Sequence, residues 1–110
     1  MKKNKNILTM IPTKNKRILW KIKKGRVILT INRSTPFDRL MHKLFKIPLR
    51  TNVELEEFGS FIWQQCDGIK TIYDISQNLE DKFGERVNPV LERLLVYMKS
   101  LKDNNFITLK

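Results

Sequence analysis

The stretch from Leu55 to Gly84 reads LEEFGSFIWQQCDGIKTIYDISQNLEDKFG, and it decides the fold class. Its apolar residues recur every three to four positions, which predicts two amphipathic helices. We expect the first helix near residues 55–66, stopping at Asp67-Gly68. The second opens on the capping-box pattern Thr71-Ile72-Tyr73-Asp74 and ends at Gly84. The predicted inward residues are Leu55, Phe58, Ile62 and Cys66, then Ile72, Ile75, Leu79 and Phe83.

A third helix is expected to follow the turn Gly84-Glu85-Arg86. Asn88 is the predicted N-cap and Pro89 the first helical residue, because proline suits that position. Beyond Asn104-Asn105, residues 106–109 read as a short terminal strand. The predicted inward face of the third helix comprises Val87, Leu91, Leu94, Met98 and Leu101.

Upstream of these helices, residues 17–32 alternate apolar and polar side chains and predict a β-hairpin. The register that gathers the apolar residues on one face pairs Ile22 with Val27, Trp20 with Leu29, and Ile18 with Ile31. A short amphipathic helix over 36–46 follows, with Thr35 as its cap, and Pro48 ends it. Leu49 to Val53 then reads as a third strand.

Together these elements predict an α+β winged helix-turn-helix. Its parts are a three-stranded antiparallel sheet with an inserted short helix, a three-helix bundle and a short C-terminal strand. The length of 110 residues suits one domain. We expect that domain over residues 17–110, preceded by a basic, flexible tail over residues 1–16.

Charge is distributed unevenly along the chain. Fifteen of the 22 lysines and arginines lie in residues 1–50, where Asp38 is the only acidic residue, whereas residues 51–110 are net negative. A basic half favours nucleic acid, an anionic membrane or an acidic peptide as partner. The apolar runs are too short to span a membrane.

The chain has one cysteine, Cys66, and one histidine, His42. A single cysteine excludes an internal disulfide. One cysteine and one histidine are also too few for a zinc finger or an iron–sulfur cluster bound by this chain alone. We therefore expect no metal, no cofactor and no enzyme activity. The free cysteine is typical of a protein of the reducing cytoplasm.

One ordered set of residues resembles the PQQ synthesis protein D family, also called the RiPP precursor-peptide recognition element. The resemblance covers about residues 20–109, and the helix at 36–46 is a departure from compact family members. Taken by themselves, Trp63 and Cys66 are expected in the core, and Asp67-Gly68 in a turn. The set comprises Leu55, Gly59, Trp63, Cys66-Asp67-Gly68, Thr71, Ile75, Leu79 and Phe83.

The resemblance implies a noncatalytic adaptor that binds the leader segment of a ribosomally made precursor peptide. The leader would add a strand beside the third strand, in a groove next to the third helix, and be presented to a modifying enzyme, frequently a radical S-adenosylmethionine (SAM) enzyme. The backbone of Leu49, Arg50, Thr51, Asn52 and Val53 would form the ladder.

Three residues lie together along one flank of the third helix at 100° per residue: Val90, Arg93 and Tyr97. Val90 and Tyr97 can offer an apolar wall, and Arg93 a fork for a leader carboxylate. The alternative is that Val90 and Tyr97 belong to the core periphery and Arg93 is solvated.

The main alternative function is a winged-helix DNA-binding regulator. The third helix balances its basic residues with Glu92 and Asp103, so we expect only weak, salt-sensitive binding without sequence preference. A membrane-surface adaptor that uses the basic helix 36–46 is a further alternative. A strand-swapped homodimer also stays open.

Overall fold

A computed structural model describes residues 6–32, 43–44 and 50–110. These residues form three α-helices and two antiparallel sheets, as expected for an α+β protein. Two compact units divide the chain: a helical unit (Met1–Asn15 with Phe58–Lys110) and a sheet unit (Lys16–Glu57). The elements are β1 (Pro12–Lys14), β2 (Leu19–Lys23), β3 (Arg26–Asn32), β4 (Arg50–Glu54), α1 (Glu57–Gln65), α2 (Ile72–Phe83), α3 (Val90–Asp103) and β5 (Ile107–Leu109).

The sheet unit contains the order β2-β3-β4, with antiparallel pairing throughout. The predicted hairpin register is confirmed, since Ile22 pairs with Val27 and Trp20 with Leu29. Lys24 and Gly25 both have positive φ, of 53° and 79°, which is the geometry of a two-residue hairpin loop matched to the strand twist. The predicted Ile18–Ile31 pair lies outside the ladder, because β2 begins at Leu19.

Burial within the hairpin is asymmetric. Val27 and Leu29 on β3 are fully buried, whereas every residue of β2 is exposed. Trp20 and Ile22 share a face with them yet remain 40% and 52% accessible. The alternation therefore predicted the shared face correctly, but not how much of that face is covered.

The helical unit holds most of the described core, including the fully buried Trp63, Ile75 and Leu79. Helix α2 has the predicted capping box: Thr71 Oγ1 accepts from the Asp74 amide at 3.1 Å, and Asp74 Oδ2 accepts from the Thr71 amide at 3.0 Å. Gly84 ends the helix at a φ of 62°. All four predicted inward residues of α2 are buried.

The N-terminal segment differs from the expected flexible tail. Residues 7–9 form a 3-10 turn, and β1 pairs with β5 through Pro12–Leu109, Thr13–Thr108 and Lys14–Ile107. The Ile11 amide also donates to the Lys110 carbonyl at 2.8 Å. A strand that pairs with the opposite end of the chain leaves no local pattern, which is why composition alone suggested a tail.

Four of the five inward residues predicted for the third helix are buried, and Leu91 is the exception. Val90, Leu94, Met98 and Leu101 are buried, whereas Leu91 is 39% exposed. Both Val90 and Leu91 stand at helical spacing from Leu94, so periodicity alone could not choose between them.

The predicted start of α3 was also wrong. The Pro89 carbonyl accepts the first helical bond, from the Arg93 amide at 3.1 Å, which makes Pro89 the N-cap. Asn88 instead ends a 3-10 turn over Gly84–Val87, because its amide donates to the Glu85 carbonyl at 3.1 Å.

Two other predictions lie largely beyond the described residues. Of the helix predicted over 36–46, only residues 43–44 are described, and both are helical. The third strand is present as β4, but Leu49 lies outside the described part of the chain.

Candidate functional site

Strand β4 lies at an edge of its sheet, because among the described residues it pairs with β3 alone. The Leu55 amide donates to the Val27 carbonyl at 2.8 Å, at the end of the β3–β4 register. Hydrogen-bonded and non-hydrogen-bonded pairs alternate in an antiparallel ladder. The pairs Leu29–Val53 and Ile31–Thr51 therefore carry the ladder bonds.

The same alternation points the N–H and C=O groups of Arg50, Asn52 and Glu54 away from β3. This outward backbone row is the β4 edge. A row of outward donors and acceptors is a template for another strand, and it is the feature by which sheets capture extended peptides. The Thr51 and Val53 amides do not belong to it, because they face β3.

Two side-chain contacts link β3 and β4 on the face of the sheet that carries Thr30 and Asn52. Thr30 Oγ1 donates to Asn52 Oδ1 at 3.0 Å, and Arg26 approaches Glu54 at 3.6 Å. Both contacts are exposed, so each contributes little stability by itself. They nevertheless orient Asn52 and Glu54 toward β3 and leave their backbone groups facing outward.

The three α3 residues expected to bind peptide differ in accessibility. Val90 is buried, Tyr97 is half-buried and Arg93 is exposed. The predicted apolar wall is therefore reduced to Tyr97, since Val90 belongs to the core. In the first turn of α3, Val90 is buried and the neighbouring Leu91 is exposed.

Phe58 organises this part of the helical unit, a role the sequence analysis missed. The Arg93 guanidinium lies 4.5 Å from the Phe58 ring centroid and donates to the Arg86 carbonyl at 2.8 Å. The Tyr97 ring packs edge-on against the Phe58 ring, with the two centroids 6.1 Å apart. The Phe83 ring lies at the same centroid distance from Phe58 and is tilted relative to it. No local signal links Phe58 with α3, because their contacts span distant parts of the chain.

Cys66 lies in an environment that suppresses reactivity. The thiol is fully buried and donates to the Ile62 carbonyl at 3.3 Å. Burial raises the pKa of Cys66 to about 12, and the nearby Lys14 ammonium opposes this only in part. The thiolate, which is the nucleophilic form, is therefore scarce near neutral pH.

Asp67 and Gly68 form the turn predicted for them. Asp67 Oδ1 accepts from the amides of Ile69 and Lys70 at 2.9 and 3.0 Å, and Gly68 has a φ of 80°. The hydrogen bond from the Lys70 side chain is the main cause that holds the pKa of Asp67 well below its usual range. The hydrogen bond from the Lys70 amide adds to it. Within residues 6–32, 43–44 and 50–110, no cluster of three potential metal ligands occurs.

The family comparison covers the part of the chain that contains the β4 edge and the three helices. The model of the coenzyme PQQ synthesis protein D (PqqD) family matches residues 44–107, more than half of the chain. The chain belongs to the PqqD family. Searches of curated proteins and of solved structures find no match for this PqqD-family protein.

Family membership confirms the resemblance carried by Trp63, Cys66 and Thr71. In this PqqD-family protein those residues are structural: Trp63 and Cys66 are buried, and Thr71 caps α2. The match begins after β3 and excludes β1 and β2. Among the described helices, none is long and apolar enough to cross a membrane.

Proposed function

We propose that this protein is a noncatalytic adaptor that binds the leader segment of a ribosomally made precursor peptide. The leader adds a strand to the β4 edge and is thereby presented to a modifying enzyme, a radical SAM enzyme in our proposal. The observation that carries this function is the outward backbone row of Arg50, Asn52 and Glu54 in a member of the PqqD family. Proteins of this family take part in PQQ synthesis, which agrees with an accessory role in biosynthesis.

Strand addition explains how such a site can work without catalytic side chains. Backbone hydrogen bonds supply affinity for any extended segment, and neighbouring side chains select the register. Every second residue of β4 contributes one outward donor and one outward acceptor. The site should therefore tolerate side-chain changes on β4 better than the loss of an outward amide.

A second contact on α3 is part of the proposal, through residues whose side chains reach solvent. Arg93 is an exposed residue although its guanidinium stacks on Phe58, and the five N–H donors of a guanidinium allow it to bind a leader carboxylate as well. Tyr97 is half-buried and offers its exposed part as an apolar contact. Val90 supports α3 from the core.

The winged helix-turn-helix architecture also belongs to the proposal. Helix α2, the turn at Gly84–Val87 and helix α3 follow one another in the order that this fold requires. The exposed side of α3 balances Arg93, Lys99 and Lys102 with Glu92 and Asp103 and carries no Asn or Gln, which is unlike the basic and amide-rich surface of a DNA-recognition helix. Peptide binding is therefore favoured over a DNA-binding regulator.

We place the protein in the cytoplasm, where its cysteine would stay reduced. The domain begins earlier than residue 17 in this proposal, since the strand at Pro12–Lys14 pairs with β5.

The decisive experiment removes one outward amide from β4. Asn52→Pro should weaken binding of a synthetic leader peptide, chosen from short reading frames next to the gene of this chain, by about tenfold in calorimetric titration. Asn52→Ala is the matched control, because it loses the same bond to Thr30 and keeps the amide. Equal affinities of folded Asn52→Pro and Asn52→Ala would contradict strand addition.

Thr51→Pro distinguishes the two sides of the same strand. Its amide faces β3, so proline there removes a ladder bond within the sheet and should lower the melting temperature more than Asn52→Pro does. A melting temperature unchanged by Thr51→Pro would mean that the assigned alternation is wrong.

A further inference from the structure

The helical unit contains an apolar pocket that is separate from the β4 edge. The pocket has a volume of about 380 Å³, within the range of small-molecule and side-chain binding sites. Its walls come from the N-terminal segment, helix α3 and strand β5. The apolar lining residues are Ile7, Met10, Leu95, Met98 and Leu109.

The wall formed by the N-terminal segment is held by backbone hydrogen bonds on both sides. The Met10 carbonyl accepts from the Ile72 amide at 2.9 Å, and Ile11 and Lys110 exchange two backbone bonds at 2.8 and 3.2 Å. The pocket is therefore built into the fold. Two of its lining residues are methionines, whose flexible side chains can adapt to apolar groups of different shape.

Two lysines complete the lining and set its charge. Lys99 and Lys102 belong to α3 and share a single carboxylate, that of Asp103, at 2.7 and 3.9 Å. The side chains of Lys99 and Lys102 are 75% and 56% exposed, so each can exchange Asp103 for a carboxylate of a partner. The site thus combines an apolar floor with an excess of positive charge at its edge.

We propose that this pocket docks an acidic peptide segment of a partner protein, with a bulky apolar side chain in the pocket and flanking carboxylates on Lys99 and Lys102. Charge complementarity selects this occupant, because Lys99 and Lys102 at the edge of the pocket attract carboxylates and, among the described residues, share only the one of Asp103. Ile7, Met10 and Leu109 lie outside the region matched by the family model. All lining residues belong to the helical unit, whereas the β4 edge belongs to the sheet unit, so the two proposals can be tested separately.

The experiment uses the full chain and two synthetic probes, Ac-Glu-Glu-Leu-Phe-Glu-Glu-NH2 and its counterpart with lysine in place of glutamate. The acidic probe should shift the methyl NMR signals of Met10 and Met98, and the basic probe should not. Lys99→Glu combined with Lys102→Glu should lower the affinity of the protein for the acidic probe by about tenfold. The matched control is Lys21→Glu with Lys23→Glu, which changes net charge equally on exposed strand β2.

A second pair of variants tests the apolar part of the pocket. Ile7→Asp places a carboxylate at a lining residue that is partly exposed, whereas Val96→Asp does so on a part of α3 outside the lining. We expect Ile7→Asp to weaken binding of the acidic probe and Val96→Asp to leave it unchanged. Equal losses in the pocket variants and their controls, or unmoved Met10 and Met98 signals, would overturn the pocket and leave the β4 proposal standing.

Discussion

Helix α2 and strand β2 both carry regularly spaced apolar residues, yet their side chains meet different surroundings. Ile72, Ile75 and Leu79 on α2 are fully buried, whereas Leu19, Trp20 and Ile22 on β2 are all exposed. The two patterns are equally clear in the sequence. Periodicity thus identifies which side chains share a face, but the elements packed against that face decide its burial and its contribution to stability.

The largest expected effect comes from removing a buried α2 side chain. Leu79→Ala should lower the free energy of unfolding by about 2–5 kcal/mol, because it leaves a cavity among packed neighbours. Urea denaturation monitored by circular dichroism gives this value. A loss below about 1 kcal/mol would break the comparison, since α2 would then behave as a surface element.

The next largest effect concerns Cys66, another fully buried side chain of the helical unit, and the dependence of the unfolding free energy on pH. The unfolded thiol titrates near pH 8.5, whereas burial raises the pKa of native Cys66 to about 12. Stability from the neutral thiol is therefore complete below about pH 8.5 and is lost progressively as the pH rises toward 12. At pH 10 the loss should reach about 2 kcal/mol relative to neutral pH.

Cys66→Ala isolates that contribution, because every other alkaline titration is common to both proteins. The difference in unfolding free energy between the parent and the variant should shrink from pH 7 to pH 10. A difference that is constant with pH would show that the thiol titrates normally and is not sealed from solvent.

A smaller effect is expected at the start of α2. Thr71→Ala removes the hydroxyl that accepts from the Asp74 amide, and should cost about 1 kcal/mol. Ser100→Ala, at an exposed position within α3, serves as the control for a lost hydroxyl. Similar thermal denaturation of Thr71→Ala and the parent would mean that packing alone maintains this helix.

The smallest effect is expected on β2. Ile22→Thr keeps the β-branched shape and replaces the ethyl branch of a half-exposed side chain by a hydroxyl, so it should cost about 0.5 kcal/mol or less. Chemical denaturation of Ile22→Thr and Leu79→Ala under the same conditions compares the losses of unfolding free energy on β2 and α2. A loss as large as that of Leu79→Ala would mean that β2 is covered in solution.

Much of the fold was predictable because its signals are local. The capping box of Thr71 and Asp74, the stop at Gly84 and the hairpin pairs of Trp20 and Ile22 are all confirmed. Each depends on residues that are close in sequence, where backbone geometry and side-chain spacing alone determine the structure. Family membership was recognisable for the same reason, since its ordered residues mark caps, turns and core positions.

The candidate site was predictable only in part. The sequence predicted a strand over Leu49 to Val53, but it could not indicate which amides face outward, because a register shift of one residue exchanges the two sides. Likewise, Arg93 was expected to be solvated or free for a ligand, and it is exposed but stacked on Phe58.

By itself, the amino-acid sequence determined the helices, the hairpin register and the family of this protein, since those features arise from neighbouring residues. Only the tertiary structure decided the burial of Val90 in place of Leu91, the pairing of β1 with β5 and the exposure of β2. These depend on contacts between segments far apart in the chain. Val90 and Leu91 have equally suitable spacing, and β1 has a partner only when the chain's two ends meet.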